Sequence, residues 1–304
     1  GSGNGQFDRP AGIANASNGN VLVTDYSNHR VQIFDSNGNY LSQFGTNGSG
    51  NGQFIRPTGI AIAANGNILV VDSNNGRVQI FDSNGNYLSQ FGTIGSGNGQ
   101  FGIPQGIAIA SNGNIAVSDL TNYRVQIFDS NGNYLNQFGS NGSVPSYFTY
   151  PYSMAITNDG NIYTTDGNRV QIFDGSCMGF AVDFSENCNY MSQFGEFGNA
   201  NNQLFNMKQI EVTANGNILI ADNGNFKIKI YDSNGNYLNY FGGYGNGNGQ
   251  FYSVHGVAEM ANGNILVSDF NLDRIQIFDS NGNYIGLFGS CLLYTSDAAD
   301  DWWG

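Results

Sequence analysis

One segment recurs six times along the chain, and this repetition constrains the fold more than any other feature. The second copy ends in RVQIFDSNGNYLSQFG at residues 77–92, and each copy closes on a Phe-Gly pair. Successive pairs are 47, 47, 56, 47 and 47 residues apart. A fixed period of this length is typical of a protein that stacks similar units, because one unit cannot bury its own apolar surface. The copies end at Gly45, Gly92, Gly139, Gly195, Gly242 and Gly289.

Each copy has the pattern of four short strands separated by turns. In the second copy the strands are GIAIA, ILVVD, RVQIFD and YLSQFG, which begin at residues 59, 68, 77 and 87. The Asn-Gly turns between them favour type I′ hairpins, whose twist matches two paired strands. Each repeat is therefore predicted to be a four-stranded antiparallel meander, with strands named a, b, c and d in chain order.

Both faces of the predicted sheet are apolar. On strand c of the second copy, Val78 and Ile80 lie on one face and Phe81 lies on the other. A sheet that is apolar on both faces must be covered on both. Six such sheets meet this requirement if each packs against the next and the last packs against the first. We therefore predict an all-β protein, a six-bladed β-propeller of four-stranded antiparallel blades.

The residues that carry this pattern resemble the NHL repeat. Residues 48–92 match the G-x-F-x-x-P-x-G-[IV]-A, V-x-D-x-x-N-x-R-[VI]-Q-[VI]-F and G-x-[FY]-x-x-x-[FI]-G motifs of that family almost throughout. NHL proteins form six-bladed propellers, so the resemblance implies the fold that the repeat count predicts. The fifth copy departs from the motifs, with QIEVT at residues 209–213, Met207 in place of a proline and Lys227 in place of an arginine.

The domain boundaries follow from the repeats, and one propeller is predicted over residues 1–289. Residues 290–304 share nothing with the repeat and resemble a translated sequencing adaptor, so we expect them to be non-native or disordered. Because the first residue already lies inside a repeat, we expect a fragment, of metagenomic origin, of a larger protein in which the propeller is monomeric. The repeats occupy about residues 1–45, 46–92, 93–139, 140–195, 196–242 and 243–289.

Two cysteines, Cys177 and Cys188, lie in an insertion of the fourth repeat. They either form a disulfide or remain as two free thiols in an unusual loop. A disulfide, which we favour, would indicate an oxidising compartment. That alternative would place the protein outside the cell or at the cell surface.

Every repeat carries an Asp at the end of strand b and a basic residue at the start of strand c. Because an active site breaks symmetry, while these residues recur in every blade, we predict a structural role rather than a ring of catalytic or ion-binding groups. The Asp side chains would bond loop amides, and the Arg side chains would tie loops together. The acidic positions are Asp25, Asp72, Asp119, Asp166, Asp222 and Asp269. The basic positions are Arg30, Arg77, Arg124, Arg169, Lys227 and Arg274.

The residues that could hold a metal ion are few, and we predict neither a metal site nor a cofactor. His29 and His255 are the only histidines, whereas a zinc site uses three or four ligands, so both are expected to be solvated loop residues. The recurrent DSNGN turns lack the glycine and glutamate positions of an EF-hand loop. Glu211 and Glu259 are expected to point to opposite sheet faces, as separate solvated carboxylates at the channel rather than one site.

The b–c loops and the segments that lead into strand a differ among the six copies, while the strands and Asn-Gly turns hardly change. In a closed ring both variable sets open on the same face. A varied face that carries aromatic residues on a constant frame is typical of a binding surface, and neutral drift of the loops is the alternative. The predicted binding residues are Tyr26, His29, Tyr123, Tyr150, Tyr152, Phe226, Tyr252, His255 and Phe270.

The charge of the chain restricts its partners. The formal net charge is −13, which argues against a nucleic-acid partner, and no run of 18 apolar residues predicts insertion into a membrane. We therefore predict a non-catalytic binding or scaffold module for a protein, peptide or glycan. The resemblance implies one alternative, a metal-assisted hydrolase or lyase, lactonase-like or amidating-lyase-like, that uses residues of the variable face or the channel.

Overall fold

The computed structural model describes residues 1–179 and 188–289, and the predicted tail therefore lies outside the described residues. Six four-stranded antiparallel sheets follow one another along the chain, each with its strands paired in chain order. The a strands touch each other around a central axis, and strand a of the first blade contacts strand a of the sixth. This arrangement confirms the predicted six-bladed β-propeller. No helix of the described residues is long and apolar enough to cross a membrane.

The strand bounds repeat with little change from blade to blade. The a strands are Pro10–Asn15, Pro57–Ile62, Pro104–Ile109, Pro151–Ile156, Met207–Val212 and Val254–Glu259. The b strands are Val21–Asp25, Ile68–Asp72, Ile115–Asp119, Ile162–Asp166, Ile218–Asp222 and Ile265–Asp269. The c strands are Arg30–Phe34, Arg77–Phe81, Arg124–Phe128, Arg169–Phe173, Lys227–Tyr231 and Arg274–Phe278. The d strands are Tyr40–Phe44, Tyr87–Phe91, Tyr134–Phe138, Tyr190–Phe194, Tyr237–Gly242 and Tyr284–Phe288.

Short elements occupy some of the connections. Two-residue parallel pairs follow the first two blades, and single 3-10 turns occur in three loops. The parallel pairs are Thr46–Asn47 with Gln53–Phe54 and Thr93–Ile94 with Gln100–Phe101. The 3-10 turns are Ser73–Asn75, Ser176–Met178 and Asn223–Asn225.

The hairpin turns differ from the predicted type. In the c–d turn of blade 1, Gly38 N donates to Asp35 O and Asp35 N donates to Asn39 O. Gly38 has a φ of +84°, whereas Asn37 is not among the described residues with positive φ. A type I′ turn requires positive φ at both central residues, so that prediction was wrong. The geometry is a type I turn closed by a glycine bulge, in which only the glycine must be left-handed.

Apolar side chains fill the gaps between neighbouring blades. Between blades 1 and 2, Phe44, Phe54 and Phe81 pack together, with ring centroids 4.7 Å apart for Phe44 and Phe81 and 5.5 Å apart for Phe54 and Phe81. Phe54 and Phe81 are fully buried. Since each repeat contributes side chains to the gaps on both of its sides, the apolar faces of the sheets are covered by their neighbours, as predicted.

The gap between the sixth and first blades is closed by the same contacts. The rings of Phe34 and Phe288 lie 4.8 Å apart, and Phe7 packs against both. The hydroxyl of Ser268, on strand b of blade 6, donates to Ala11 O, on strand a of blade 1, at 2.8 Å. The first and last blades therefore meet as any other two neighbours do.

The recurring Asp at the end of strand b is buried in all six blades. In blade 1, Asp25 accepts hydrogen bonds from Asp8 N and from Arg30 Nε, both at 2.8 Å. Arg30 also donates to the carbonyl oxygens of Gly3 and Gln6. One ion pair therefore joins the inner part of the blade to the segment that leads into it.

Blade 5 departs from this arrangement, and the predicted role of Lys227 was wrong. Lys227 lies opposite Asp222 in the strand register, but the ammonium that pairs with Asp222 belongs to Lys229, at 3.0 Å. Lys227 instead lies over the ring of Tyr240, 3.8 Å from its centroid. Lys229 occupies the position that is glutamine in the other blades, and from that fully buried position its side chain reaches the carboxylate.

Cys177 and Cys188 are joined by a disulfide at the base of the blade 4 insertion, with their Cα atoms 4.7 Å apart. The insertion also contacts blade 3, because Asn112 and Asn114 donate to Met178 O at 2.6 and 2.9 Å. The oxidising compartment that such a bond would require stays a prediction.

Candidate binding site at the axial channel

The six a strands surround a channel along the propeller axis, and the residues that line it enclose about 340 Å³. Glycine at the third position of four of the six a strands permits this narrow ring. A Cβ on Gly12 would lie 2.4 Å from Thr58 O, and one on Gly256 would lie 2.3 Å from Ala11 O. The a strands therefore lie close to the axis, and their side chains line the channel.

The lining of the channel is not six-fold symmetric. In blades 1 to 3 it is mostly small or apolar, whereas polar and aromatic side chains replace those residues in blades 4 to 6. The strand register places Glu211 where blade 2 has Ala61, and Gln209 where blade 2 has Gly59. These departures make one side of the channel distinct from the other. The lining residues on the distinct side are Tyr152, Gln209, Glu211, His255 and Glu259, and Lys208 lies over the ring of Tyr152.

Four aromatic rings form a continuous row across one mouth of the channel, which we call the aromatic arc: Tyr26, Phe270, His255 and Tyr152. The rings of Tyr26 and Phe270 lie 5.4 Å apart. His255 stacks on Phe270 at 4.0 Å with 14° between the planes, and Tyr152 meets His255 edge-on at 6.3 Å. Tyr152 belongs to blade 4 and His255 to blade 6, so the arc crosses the mouth above blade 5.

Three cationic side chains lie over rings of the aromatic arc. The pairs are Arg56 over Tyr26 at 5.6 Å, Arg9 over Phe270 at 5.8 Å and Lys208 over Tyr152 at 4.2 Å. A cation over an aromatic face is attracted by the ring quadrupole, more strongly where water is excluded. The mouth therefore combines flat apolar surfaces with positive charge on an acidic protein.

Burial changes the titration of the groups at this mouth. It lowers the pKa of the Lys208 ammonium to about 8 and raises the pKa of the Tyr152 hydroxyl well above its usual range. Burial, reinforced by the charge of Lys208, lowers the pKa of His255 well below its ordinary value. At neutral pH His255 is consequently uncharged, and the positive charge next to it is that of Lys208.

Glu211 and Glu259 approach each other in the same channel. Ile210 packs against blade 4, so Glu211, the next residue, faces blade 6. Val257 packs against blade 5, so Glu259 faces blade 5, where its carboxylate accepts a hydrogen bond from Ala214 N at 2.6 Å. The expectation that these are two separate carboxylates was wrong, because opposite faces of adjacent sheets look into one shared gap.

The proximity of these carboxylates affects Glu211. Burial, followed by repulsion from Glu259, raises the pKa of Glu211 to about 8. The neighbouring Gln209 extends across the channel, where its Nε2 donates to Val257 O at 3.0 Å and to Ile13 O at 3.3 Å. Gln209 thus lies between the positively charged mouth and the two carboxylates.

Comparison with known proteins identifies the repeat. The family model described as "NHL repeat" matches residues 7–34, 54–81 and 101–128. The first three repeats of the chain match the NHL repeat. Protein lin-41 of Caenorhabditis elegans is 54% identical over 43 residues, and Protein brain tumor of Drosophila melanogaster is 46% identical over 41 residues. Each match covers 14% of this chain and 4% of the relative, so the likeness extends over about one repeat and a small part of those proteins.

Solved propellers resemble the whole six-bladed ring at low sequence identity. A virginiamycin B lyase from Staphylococcus aureus has a TM-score of 0.62 at 13% identity, covering 91% of this chain and 83% of that one. A gluconolactonase from Xanthomonas campestris has a TM-score of 0.60 at 11% identity, with 88% and 85% covered. A chain of a nidogen/laminin complex has a TM-score of 0.62 at 14% identity, with 86% and 90% covered. At such identities the likeness extends to the fold alone.

Of the nine predicted binding residues, the four rings of the arc lie together and three others lie apart from them. Tyr123 packs partly buried against the core between blades 3 and 4. Tyr150 is 63% exposed. His29 accepts a hydrogen bond from Arg56 N through its Nδ1 at 3.0 Å, which connects the loops of blades 1 and 2.

The remaining two predicted residues form a second aromatic group on the outer part of blades 5 and 6. The ring of Tyr244 lies 4.9 Å from Phe226 and 5.5 Å from Tyr252. Tyr244 is 62% exposed, and it was not among the residues predicted from the sequence. This group makes no ring contact with the aromatic arc among the described residues.

The two histidines do not behave alike. The expectation of a solvated loop residue was wrong for His255, which is enclosed in the arc between Phe270 and Tyr152. Within the part of the chain that the structure describes, no three His, Cys, Asp or Glu side chains are placed to hold a metal ion.

Lys208 and Gln209 were not predicted as site residues, although the sequence contained the signal. The second position of strand a reads Ala, Thr, Gln, Tyr, Lys and His through the six blades, while the positions before and after it are Pro and Gly in four blades each. From the sequence, the departures of the fifth repeat were interpreted only as departures from the motif. Their concentration on one strand, which the ring places at the axis, indicates a site.

Proposed function

We propose that this NHL propeller is a non-catalytic binding module that holds a protein or peptide partner at the mouth of the channel, over the aromatic arc. The observation that carries the proposal is the loss of six-fold symmetry at this one place. A frame of nearly identical blades supports a single row of rings and cations that no other blade pair repeats among the described residues. Rigid aromatic and arginine side chains on a fixed frame are the groups that dominate binding energy at protein interfaces.

The distribution of basic side chains favours a protein or peptide over a nucleic acid. Six of the ten Lys and Arg side chains are paired with buried Asp residues. Few remain for phosphate contacts, of which a duplex binder makes about six to ten. A neutral glycan would use the rings of the arc but not the cations over them, so a protein or peptide is favoured over a glycan as the partner.

The test is a selection from a displayed peptide library on the immobilised propeller. Peptides enriched on the unaltered protein are expected to lose about tenfold or more in affinity for a Phe270→Ala variant, because Phe270 touches both Tyr26 and His255 in the arc. The matched control is Tyr150→Ala, an exposed ring of the same face outside the arc. Peptides that bind the Phe270 variant unchanged, or a library that yields no enrichment, would contradict the proposal.

A second candidate is the enzyme, a hydrolase or lyase that works in the channel. The specific observation in its favour is Glu211, whose pKa of about 8 suits a group that takes up and releases a proton near neutral pH. The described residues do not supply three ligands for a metal ion, so we derive no metal-assisted step. Elemental analysis of the purified protein tests this candidate, and stoichiometric zinc or calcium would favour it over the binding module.

A further inference from the structure

We propose that the group of the partner that enters the channel mouth is a carboxylate, and that Lys208 receives it. This inference rests on the proposed function, because it specifies the chemistry of the partner at the aromatic arc. It concerns an acidic peptide segment, whose carboxylates come from Asp or Glu side chains or from a free C-terminus.

Four basic side chains remain after the six Asp pairs are counted, and within the described residues none of the four lies within ion-pairing distance of a carboxylate. Each of them lies over an aromatic ring instead, and three of them are at the arc. The mouth therefore gathers most of the cations that the fold leaves without an acidic partner. The four are Arg9, Arg56, Lys208 and Lys227.

Lys208 is the most enclosed of the cations at the mouth. Its ammonium lies 4.2 Å from the centroid of the Tyr152 ring, and burial alone accounts for the lowering of its pKa to about 8, without a contribution from any carboxylate. A partly buried ammonium that lacks a counter-ion is unfavourable, and an arriving anion removes that cost. The site is therefore built for a negative group that the chain itself does not supply.

Glu211 cannot serve as that negative group. No ion pair joins the two side chains within the described residues. Lys208 lies over the Tyr152 ring of blade 4, and no carboxylate contributes to the shift of its pKa. The charge that acts on Glu211 is that of Glu259.

An acidic peptide fits this mouth better than a polyphosphate does. The net charge of −13 repels a polyphosphate and an acidic peptide alike, and beyond about 8 Å that field is screened at physiological salt, so the local groups decide between the two. One carboxylate at Lys208, with further acidic side chains near Arg9 and Arg56, matches three cations spaced along a row of apolar rings. The rings give such a peptide apolar contacts that a phosphate backbone does not use.

The experiment measures fluorescence anisotropy at about 150 mM salt, near physiological ionic strength, with three labelled probes: an amidated peptide of six glutamates, an amidated peptide of six glutamines, and the same glutamine peptide with a free C-terminus. We expect the glutamate peptide to bind about tenfold or more tightly than the amidated glutamine peptide. Binding restored by the free C-terminus alone would identify the terminal carboxylate as the source. Equal affinities for all three peptides would overturn the proposal.

Matched variants locate the effect. Lys208→Met is expected to lower the affinity for the glutamate peptide about tenfold, while Lys227→Met, which removes the ammonium stacked on Tyr240 away from the arc, is expected to leave it unchanged. Both variants must show the thermal unfolding of the unaltered protein. A Lys208→Met variant that binds as tightly as the unaltered protein, or a hexauridylate RNA that binds more tightly than the glutamate peptide, would overturn the proposal.

The pH dependence supplies a readout that a purely structural role would not change. The ammonium must be protonated to hold an anion, so affinity should fall as pH rises through about 8, the pKa of free Lys208. The other groups at the mouth are Tyr152, His255, Arg9 and Arg56, and His255 is already neutral in this range. Glu211, deeper in the channel, gains its negative charge over the same pH range, so the profile is measured in a Glu211→Gln background. Lys208→Arg should retain binding at pH 9, and a loss with the same profile in that variant would contradict the assignment.

Failure of this inference can be distinguished from failure of the proposed function. Selected peptides could need Phe270 for binding but bind equally well after every Asp and Glu of the peptide is changed to Asn and Gln. That result would support the binding module and refute the proposal that Lys208 receives a carboxylate. If no selected peptide needs Phe270, the proposed function itself falls.

Discussion

At the scale of single residues, the length of a basic side chain, as well as its position on the strand, decides whether it pairs with the buried Asp of its blade. In blade 1, Arg30 and Gln32 both donate to the same oxygen of Asp25, at 2.8 and 3.0 Å. In blade 5, Lys229 stands at the glutamine position and pairs with Asp222 by itself. Aligning the repeats predicted that Lys227 pairs with Asp222, because an alignment compares positions and takes no account of side-chain length.

Exchanging the two positions of blade 5 tests this interpretation. Lys229→Gln should lower the free energy of unfolding by about 3 kcal/mol, since it removes one partner of a buried ion pair. The double variant Lys227→Arg with Lys229→Gln recreates the arrangement of blade 1 and should recover at least half of that loss. Urea unfolding of both variants measures the difference, and a double variant no more stable than the single one would refute the interpretation.

Glu211 should make stability depend on pH. Its pKa is about 8 in the folded protein against an ordinary value of 4.5, so between these values the folded state holds a proton that the unfolded state has lost. Stability from this group is therefore present below pH 4.5 and declines as pH rises through 8. Glu211→Gln should remove that decline and stabilise the protein at pH 9 by about 1 to 3 kcal/mol. Urea unfolding from pH 4 to 9 checks this, and parallel curves for both proteins would contradict it.

At the scale of the elements, the two Asn-Gly turns of each blade look alike in sequence but differ in surroundings. Gly66, in the a–b turn of blade 2, has a φ of +85°, and a Cβ added to it would meet nothing within 4 Å. Gly85, in the c–d turn, has a φ of +84°, but its Cβ would lie 2.6 Å from the Phe44 ring of blade 1. The glycine of the c–d turn thus lies in the contact between blades, and the glycine of the a–b turn does not.

Alanine at these two glycines separates backbone strain from packing. Gly66→Ala should lower the free energy of unfolding by about 1 to 2 kcal/mol, the cost of a left-handed residue with a Cβ. Gly85→Ala should cost about 1 to 3 kcal/mol more, because the ring of Phe44 must also move. Thermal or urea unfolding measures both, and equal losses would show that Phe44 gives way freely.

The strands could be predicted from sequence, and the turns could not. The alternation of side chains between the two sheet faces, as from Val78 to Phe81, is a local pattern that predicts a strand without knowledge of the rest of the fold. Asn-Gly is compatible with a type I′ turn and with a type I turn that ends in a glycine bulge, and the choice depends on how many residues separate the paired ends. The register of the c–d hairpin, in which Asp35 pairs with Asn39, settles that choice only in the folded sheet.

At the scale of the whole molecule, ring closure creates the site as well as the core. Tyr152 and His255 come from blades 4 and 6 and meet at 6.3 Å, a contact that depends on the radius of the channel. Repeat counting predicted the ring but gave no radius, so these residues could be assigned to one face but not to one row. The convergence of Glu211 and Glu259 was missed for the same reason.

Removing one blade tests the dependence on closure. Deleting residues 243–289 would expose the gap faces of blades 5 and 1, including Phe7 and Phe34, which are buried now. We expect this five-bladed chain to lose cooperative unfolding and to aggregate, since its sheets are apolar on both faces. Circular dichroism during heating measures this, and a soluble chain with an unchanged, sharp transition would show that closure is not required.

The central claim is that partners bind at the channel mouth across the aromatic arc. Its most direct test is an NMR titration of a selected peptide into isotope-labelled protein, with assigned amides. We predict that the largest shifts fall on Arg9, Tyr26, Tyr152, Lys208, His255 and Phe270, with little change at the Asn-Gly turns of the opposite face. Shifts concentrated at those turns, with the arc unaffected, would contradict it.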